Sequence, residues 1–554
     1  MADASPLTFK VASEKWEFEQ IHELNYQTFV DEIPQHQENE QGRLVDKFHQ
    51  ENTYVICVSG NELLGMVALR SKRPFSLDEK LDDLDTYLPP FQSILECRLL
   101  AVRKQRRYTA VFAGLLKKIV YMALQEAHDI AVISGTTRQI RLYRHIGFQP
   151  FGPLVGKEGA QYQPMYLDLA NAISLKQTSQ LFNIKKGSRA EQLLFNYLPG
   201  PVSLAEGVLT ANSAEPGSHR SASFVERFNC FRTMLSRKLH AGRVQIMTGS
   251  GTLGNDVVAA HLSLLPGKGL VLINGEFGER LRDQAVRAGL NFTVVEAESG
   301  KTFAEEELAV AIGNISELEW IWAVHCETST GVLNNLDLLR RLCRRNNLKL
   351  CLDAISSVGS CPVDLSEVYL ATATSGKGIG SLPGLVMVFC RDDVVFGDRN
   401  LPRYFDLGYY QSKQGIPFTI SSNAVEALMT AVEEGDWSTH FENVRQWSEE
   451  LRDELEEIGL TVLADRQCRA PHITTIALPT SVSSLDLGDQ LAEEGILVSY
   501  RSDYLITKNY LQVCFMGKCR KPTRMMSYFL RQAVSSVPVG ENFAVEEELK
   551  EKRQ

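Results

Sequence analysis

"VQIMTGSGTLGNDVVAAHLSLL", residues 244–265, runs from a short apolar strand through a Gly-Ser-Gly-Thr turn into a helix with Val258, Leu262 and Leu265 on one face. A strand feeding a helix through a tight turn is the repeating unit of α/β folds. The turn has a second property. First-turn N–H groups of a helix lack intrahelical acceptors, and small residues let the backbone close on an anion. Ser250 and Thr252 add hydroxyl donors, so the stretch reads as a phosphate cup.

The same alternation continues downstream. "GLVLINGEFGER" (269–280) is a strand followed by a glycine-flanked aromatic, Phe277. "EWIWAVHCETSTGVLNNL" (319–336) is a strand followed by a polar turn that holds Thr328, and "NNLKLCLDAISSVGS" (346–360) is a strand that delivers Asp353 at its carboxyl end. In an open, doubly wound sheet, ligands collect beyond the carboxyl ends of the strands, so these clusters point to one edge. A carboxylate buried there needs a cation. "TATSGKGIGS" (372–381) supplies Lys377, 24 residues after Asp353 and among residues too small for an ordinary helix or strand face. A phosphate cup, an aromatic plate, a strand-end acid and a lysine in a small-residue loop describe, in that order, a site for pyridoxal 5′-phosphate (PLP). There the lysine bonds the cofactor aldehyde, and the acid keeps the pyridine nitrogen protonated.

Residues 191–536 resemble the class V, fold-type I PLP aminotransferases, such as the 2-aminoethylphosphonate–pyruvate and alanine–glyoxylate enzymes. "GSGT", "NGEFG", "HCETSTGVLNN" and "GIPFTISSN" carry the likeness to the phosphonate enzyme. The resemblance implies a large, mostly parallel sheet domain with a small C-terminal α+β domain. It also implies that Ser250, Gly251 and Thr252 hold the PLP phosphate, Phe277 stacks on the ring and Thr328 lies near the ring hydroxyl. Asp353 would bind the ring nitrogen and Lys377 the aldehyde. Thr419 would reach the phosphate of a neighbouring subunit, which implies a homodimer.

One departure bears on the substrate. The family carries an arginine in an R-I-G-x-x-G strand that clamps the substrate carboxylate or phosphonate. The matching stretch is "LQVCFMG" (511–517), with Gln512 in the arginine's place. Glutamine offers donors without charge. Either Arg501 or Lys508 substitutes from a shifted position, or the substrate is not a simple α-amino acid.

The first 172 residues form another α/β block. "TYVICVSGNELLGMVALR" (53–70) reads as a hairpin around Ser-Gly-Asn, and "ILECRLLAV" (94–102) as a strand. A helix follows with Phe112, Leu115, Leu116, Ile119, Val120 and Ala123 on one face, then a strand in "AVISGTT" and a helix ending at Gly147. This order resembles the GNAT acyltransferases. In that family the tyrosine of a helix-plus-GF signature, here Tyr143 in "LYRHIGF", protonates the departing thiolate. The pyrophosphate loop falls in "LAVRKQRRYTAVFAGLL". Tyr108 replaces its first glycine, and only Ala110 keeps the small position. "NYQTFVDEIPQH" and "ECRLLAV" are similar to N-acyl amino acid and N-acyl-homoserine-lactone synthases, which draw acyl groups from acyl-CoA or acyl carrier protein. The basic turn Arg103, Lys104, Arg106, Arg107 suits phosphates or an acidic carrier helix, or is simply solvated. Glu96 is the candidate base for an attacking amine, or else half of an ion pair with Arg98.

The bulk numbers fit two enzyme domains. The 554 residues are too many for one core, and 44% hydrophobic with 23% charged residues is a globular composition. A net charge of −10 argues against a nucleic-acid partner. No signal peptide or membrane span is expected. Eleven scattered cysteines without metal-ligand spacing point to reduced thiols in a cytoplasmic protein that holds no metal. The expected division is 1–172 GNAT-like, 173–190 linker, 191–538 PLP domain and 539–554 charged tail. The expected function is a PLP aminotransferase acting on a small amine or amino acid with a keto or aldehyde acceptor, coupled to N-acylation. The alternative is a PLP lyase or decarboxylase whose first domain is a degenerate acyl- or carrier-binding module.

Overall fold

The computed structural model describes residues 7–33, 36–91, 93–106, 110–126, 128–157, 160–169, 195–394, 396, 401–493, 495–519, 526 and 530–531. Arg107, Tyr108, the linker and the charged tail lie outside the described residues. The chain divides near residue 193 into two compact units. Among the described residues no helix is long and apolar enough to cross a membrane, and no group of three or more potential ligands is placed to hold a metal.

The first unit is one mixed sheet with helices packed on it. Leu7–Val11, Thr53–Ser59, Glu62–Arg70 and Ile94–Val102 run antiparallel in that order. Ile130–Thr136 then joins in parallel, and Ala160–Asp168 closes the series antiparallel, with Gln149–Pro150 beyond it. Gly60, at φ +59°, turns the hairpin, and its register pairs Ser59 with Glu62. The helix Ala110–Gln125 buries Val111, Leu115, Leu116, Ile119 and Ala123 against the sheet residues Val55, Cys57, Leu64 and Val67. Leu115, Leu116, Ile119 and Ala123 are residues of the expected stripe, whereas Val111 joins the core in place of Phe112, which is only partly buried. The helix Lys15–Tyr26 and its continuation Gln27–Glu32 pack into a different core with Tyr54, Ile56, Met66 and Ala68.

The second unit carries a seven-stranded sheet. Its order is Arg243–Thr248, Leu385–Cys390, Val368–Thr374, Lys349–Asp353, Leu318–Val324, Lys268–Ile273 and Phe292–Glu296. Leu385–Cys390 runs against its two neighbours, and the remaining pairings are parallel. Helices cover both faces, which is why the inner strands read as nearly continuous apolar runs rather than alternating ones. A smaller antiparallel sheet of Thr461–Val462, Ile473–Ala477 and Tyr510–Cys514 follows, accompanied by the helices Trp437–Glu457, Ser484–Glu493 and Asp503–Lys508. The expected α/β classes are therefore those observed.

The consequence for function lies in strand direction. Thr248, Ile273, Val324, Asp353 and Thr374 all end parallel strands, so the segments beyond them leave one edge of the large sheet.

Candidate active site

Ser250 caps the helix Gly251–Leu262 in an extended conformation, and its hydroxyl does not cap that helix. Among the described residues the N–H groups of Gly251 and Thr252 donate to no protein acceptor, whereas Leu253 N–H already bonds Ser250 O at 3.0 Å. Gly249 N–H is tied to Gly384 O at 2.8 Å, which fixes the strand end from which the turn leaves. The result is a pair of open backbone donors at the positive end of a helix, flanked by two hydroxyl residues.

Asp353 is 4% exposed. Its carboxylate accepts Ile355 N–H at 3.0 Å on Oδ1 and Asn255 Nδ2–H at 2.7 Å on Oδ2. Burial pushes its pKa up, and those two donors, then Lys377 and Arg280, pull it back. The second donor comes from Asn255, which reads in the sequence as ordinary helix. Only its distance in the fold reveals it.

Lys377 lies within electrostatic reach of Asp353, Cys514, Cys326 and Arg280, and burial pushes its pKa below the ordinary lysine value. Among the described residues its amine has neither a hydrogen bond nor an ion pair. The glycines around it have a packing cause. A Cβ on Gly378 would come within 2.1 Å of Ser360 Oγ and 2.7 Å of Ser360 N, and Gly380 holds φ +78°. Gly200, at φ +149°, crosses above the lysine, where a Cβ would stand 3.8 Å from Lys377 Cε.

Phe277 is half-buried at the start of the helix Glu276–Arg287, with the Arg280 guanidinium 4.7 Å from its ring centroid. Glu327 anchors this helix end by accepting N–H from Phe277 (3.3 Å) and Gly278 (3.0 Å) and the Ser329 hydroxyl (2.5 Å). Thr328 Oγ1 meets Ser356 Oγ at 2.6 Å. Thr419 is exposed.

Gln512, in the arginine's place, and the possible substitutes Arg501 and Lys508 are placed differently, and Lys508 is exposed. Gln512 is buried. Its Nε2 donates to the carbonyls of Thr328 (2.5 Å) and Ser329 (3.2 Å) and to Thr475 Oγ1 (2.9 Å), so its donors serve the fold. Arg501 points outward, bonded to Asp489 Oδ1 at 2.5 Å and Tyr500 Oη at 3.1 Å. Its side chain is 67% exposed and paired with Asp489. Arg501→Ala is accordingly expected to change KM for any amino donor by less than about threefold, the scale of an exposed ion pair. Steady-state kinetics on the variant check this.

In the first unit, Glu96 is fully buried. Its carboxylate accepts Ser76 N–H (2.9 Å), the Ser76 hydroxyl and Leu77 N–H (3.3 Å), and Arg98 Nε lies 3.7 Å away. Arg98 in turn pairs bidentately with Asp46 at 2.9 and 3.1 Å. These three contacts anchor the 76–77 segment and fill three of the roughly four lone-pair sites of the carboxylate. Glu96→Gln should lower the stability of this unit by about 1–3 kcal/mol, read as a shift in its thermal unfolding. An unchanged melt with N-acylation abolished would place Glu96 in the base role.

Ile94–Val102 and Ile130–Thr136 pair only from Ile94/Ile130 to Glu96/Val132, although both strands continue. Beyond that point they part, and Leu99 takes φ +53° where the register on the other side slips. Tyr143 lies against the far strand. A Cβ on Gly135 would meet its ring at 2.9 Å, and Phe148 packs edge-on at 6.4 Å. Among the basic turn residues, Arg103 donates to Leu63 O, and Lys104 and Arg106 are exposed.

PLP fits the residues of the second unit. The open donors at Gly251 and Thr252 suit a dianionic phosphate, the buried Asp353 suits a pyridinium, and the Lys377 amine, unpartnered among the described residues, suits an aldehyde. The class-V aminotransferase family matches residues 208–502, and the family of the N-acyl amino acid synthase FeeM matches residues 20–168. The chain is 28% identical over 300 residues to a 2-aminoethylphosphonate–pyruvate transaminase of Pseudomonas fluorescens (strain Pf0-1), covering 51% of this chain and 80% of that one. The crystal structure of a subgroup IV aspartate aminotransferase from Thermus thermophilus superposes with TM-score 0.56 at 26% identity, over 63% of this chain and 100% of that chain. An alanine–glyoxylate aminotransferase from Nostoc sp. gives TM-score 0.56 at 25% identity, over 64% and 98%.

Proposed function

This chain belongs to the class-V aminotransferase family and carries an N-acyl amino acid synthase domain ahead of it; from that premise we propose that it is a bifunctional enzyme that transfers an amino group through PLP and acylates an amine. The observation that carries the reading is the meeting of the Ser250–Thr252 turn, Asp353 and Lys377 at one sheet edge.

PLP, when bound, supplies a ring that accepts electrons from the substrate carbon. The chain's own groups do the rest. Gly251 and Thr252 N–H with the Ser250 hydroxyl bind the phosphate, Phe277 covers a ring face, and Asp353 holds the proton on the ring nitrogen. Lys377, kept deprotonated more readily by burial, takes and returns the proton at the substrate carbon. Thr419 reaches the site of a second copy in a homodimer. Because Gln512 and Arg501 are both committed elsewhere, the substrate is a small amine or amino acid whose recognition does not use an arginine on the 511–517 strand.

In the N-terminal domain the parted strands take the extended arm of acyl-CoA or acyl carrier protein, and Tyr143 protonates its departing thiolate. Fusion makes sense when one site's product is the other's nucleophile, because tethering raises its local concentration. All eleven cysteines are unpaired, in keeping with a reducing, cytoplasmic setting. A second reading has its own observation. Glu96 anchors the 76–77 segment through three of its lone-pair sites, which favours an acyl- or carrier-binding module paired with a PLP lyase or decarboxylase.

The deciding experiment offers the protein a panel of amino donors, keto or aldehyde acceptors and acyl donors and identifies products by mass spectrometry. A new amine recovered partly as its N-acyl derivative supports the bifunctional reading. Ammonia or carbon dioxide released without an acceptor supports the second.

A further inference from the structure

Asp353 has a support that neither its strand nor its loop provides. The strand ends at Asp353, and the following segment gives only Ile355 N–H to Oδ1. The outer oxygen, Oδ2, is held by Asn255, a 5% exposed residue in the middle of the helix Gly251–Leu262. An amide side chain can present either its oxygen or its nitrogen, and here the choice is fixed from behind. Thr372 Oγ1 donates to Asn255 Oδ1 at 2.8 Å, so Nδ2 must face the carboxylate. Thr372 is fully buried and stands opposite Asp353 in the register of the neighbouring strand. The relay Thr372–Asn255–Asp353 thus joins two adjacent strands and one helix.

That helix is the one whose first turn forms the anion cup. Asn255 lies four residues after Gly251, about 6 Å along the axis. One rigid element therefore sets both the phosphate donors and the direction of the acid. The other groups facing the Asp353 carboxylate are Lys377 from its loop and Arg280 from the helix Glu276–Arg287, both acting through space. His325, whose N–H bonds Asp353 O at 2.8 Å, is buried and has its pKa lowered to about 4.

We propose that Asn255, oriented by Thr372, is the positioning residue that aims the Asp353 carboxylate at the cofactor's ring nitrogen. Neutral donors suit this task, because a cation at Oδ2 would compete with the ring for the carboxylate. The proposal rests on PLP binding at this edge. Failure of that reading would appear separately, as wild-type protein that takes up no PLP.

The test compares wild-type holoenzyme with Asn255→Leu, which keeps volume and removes the amide, and with Thr372→Val, which removes only the hydroxyl behind it. PLP affinity and the pH midpoint of the visible absorption band are measured for each. Asn255→Leu is expected to weaken PLP binding by roughly 10- to 100-fold, the worth of a hydrogen bond to a charged group. It should also move the acid limb of the band to higher pH, because a donor that favours the charged carboxylate is gone. Thr372→Val should move both readouts the same way but less, and the double variant should be no worse than Asn255→Leu. A lowered melting temperature with PLP affinity and pH midpoint unchanged would overturn the proposal, as would fully additive effects. If Asn255→Leu does not fold, unchanged readouts in Thr372→Val overturn it.

Discussion

Lys377→Ala is expected to give a folded, colourless protein whose amino transfer falls by roughly 10²- to 10⁴-fold, the range of a positioned proton-transfer group. The lysine amine has no hydrogen bond or ion pair among the described residues, so its removal leaves no partner stranded. Burial already disfavours its charge, so the apo fold loses little and sheds a desolvation penalty. What is lost is chemical: the covalent link to PLP and the base that serves the substrate carbon. Absorbance of the purified variant and single-turnover rates measure the two losses separately. A variant that stays yellow and active would place the chemistry on another residue.

Asp353→Ala is the second large effect. Amino transfer should fall by roughly 10²- to 10³-fold, the size of one preorganised electrostatic contact in a water-excluded site. PLP should bind more weakly, by at least the roughly 10- to 100-fold expected of Asn255→Leu, but the cup at Ser250–Thr252 and Lys377 are untouched, so the protein should remain coloured at saturating PLP. Stability of the apo form is a balance. The Ile355 N–H and the Asn255 amide lose their acceptor, at about 1–3 kcal/mol for groups left unsatisfied. A fully buried carboxylate whose charge burial disfavours is removed at the same time. Rapid-quench measurement of the half-reaction on coloured variant checks the prediction. A rate within tenfold of wild type would contradict the role of Asp353 as ring-nitrogen partner.

The parts of the site that were legible in the sequence share a property. Ser250, Asp353 and Lys377 follow directly on apolar strands, so the topology of a parallel sheet carries them to one edge whatever the side-chain details. Asn255 was not legible. It lies mid-helix, and its meaning comes from a residue 98 positions away. The surroundings of Glu96 were hidden for a related reason. Its spacing from Arg98 is visible along the strand, but the donors that occupy it come from Ser76 and Leu77, about twenty positions earlier in the chain. Arg501 read as a spare cation because nothing local announces Asp489, which sits on a helix twelve residues before it. Strand order and core faces are written in local pattern, whereas the protonation and availability of a charged group depend on partners that only the tertiary fold assembles.

The link between PLP and Lys377 is the point on which the proposed chemistry depends most directly. Borohydride treatment of the yellow protein makes a cofactor–lysine link permanent, and peptide mapping by mass spectrometry then locates it. A phosphopyridoxyl group is expected on the peptide containing Lys377 and on no other lysine. An unmodified Lys377, or the label on a different lysine, would contradict that link.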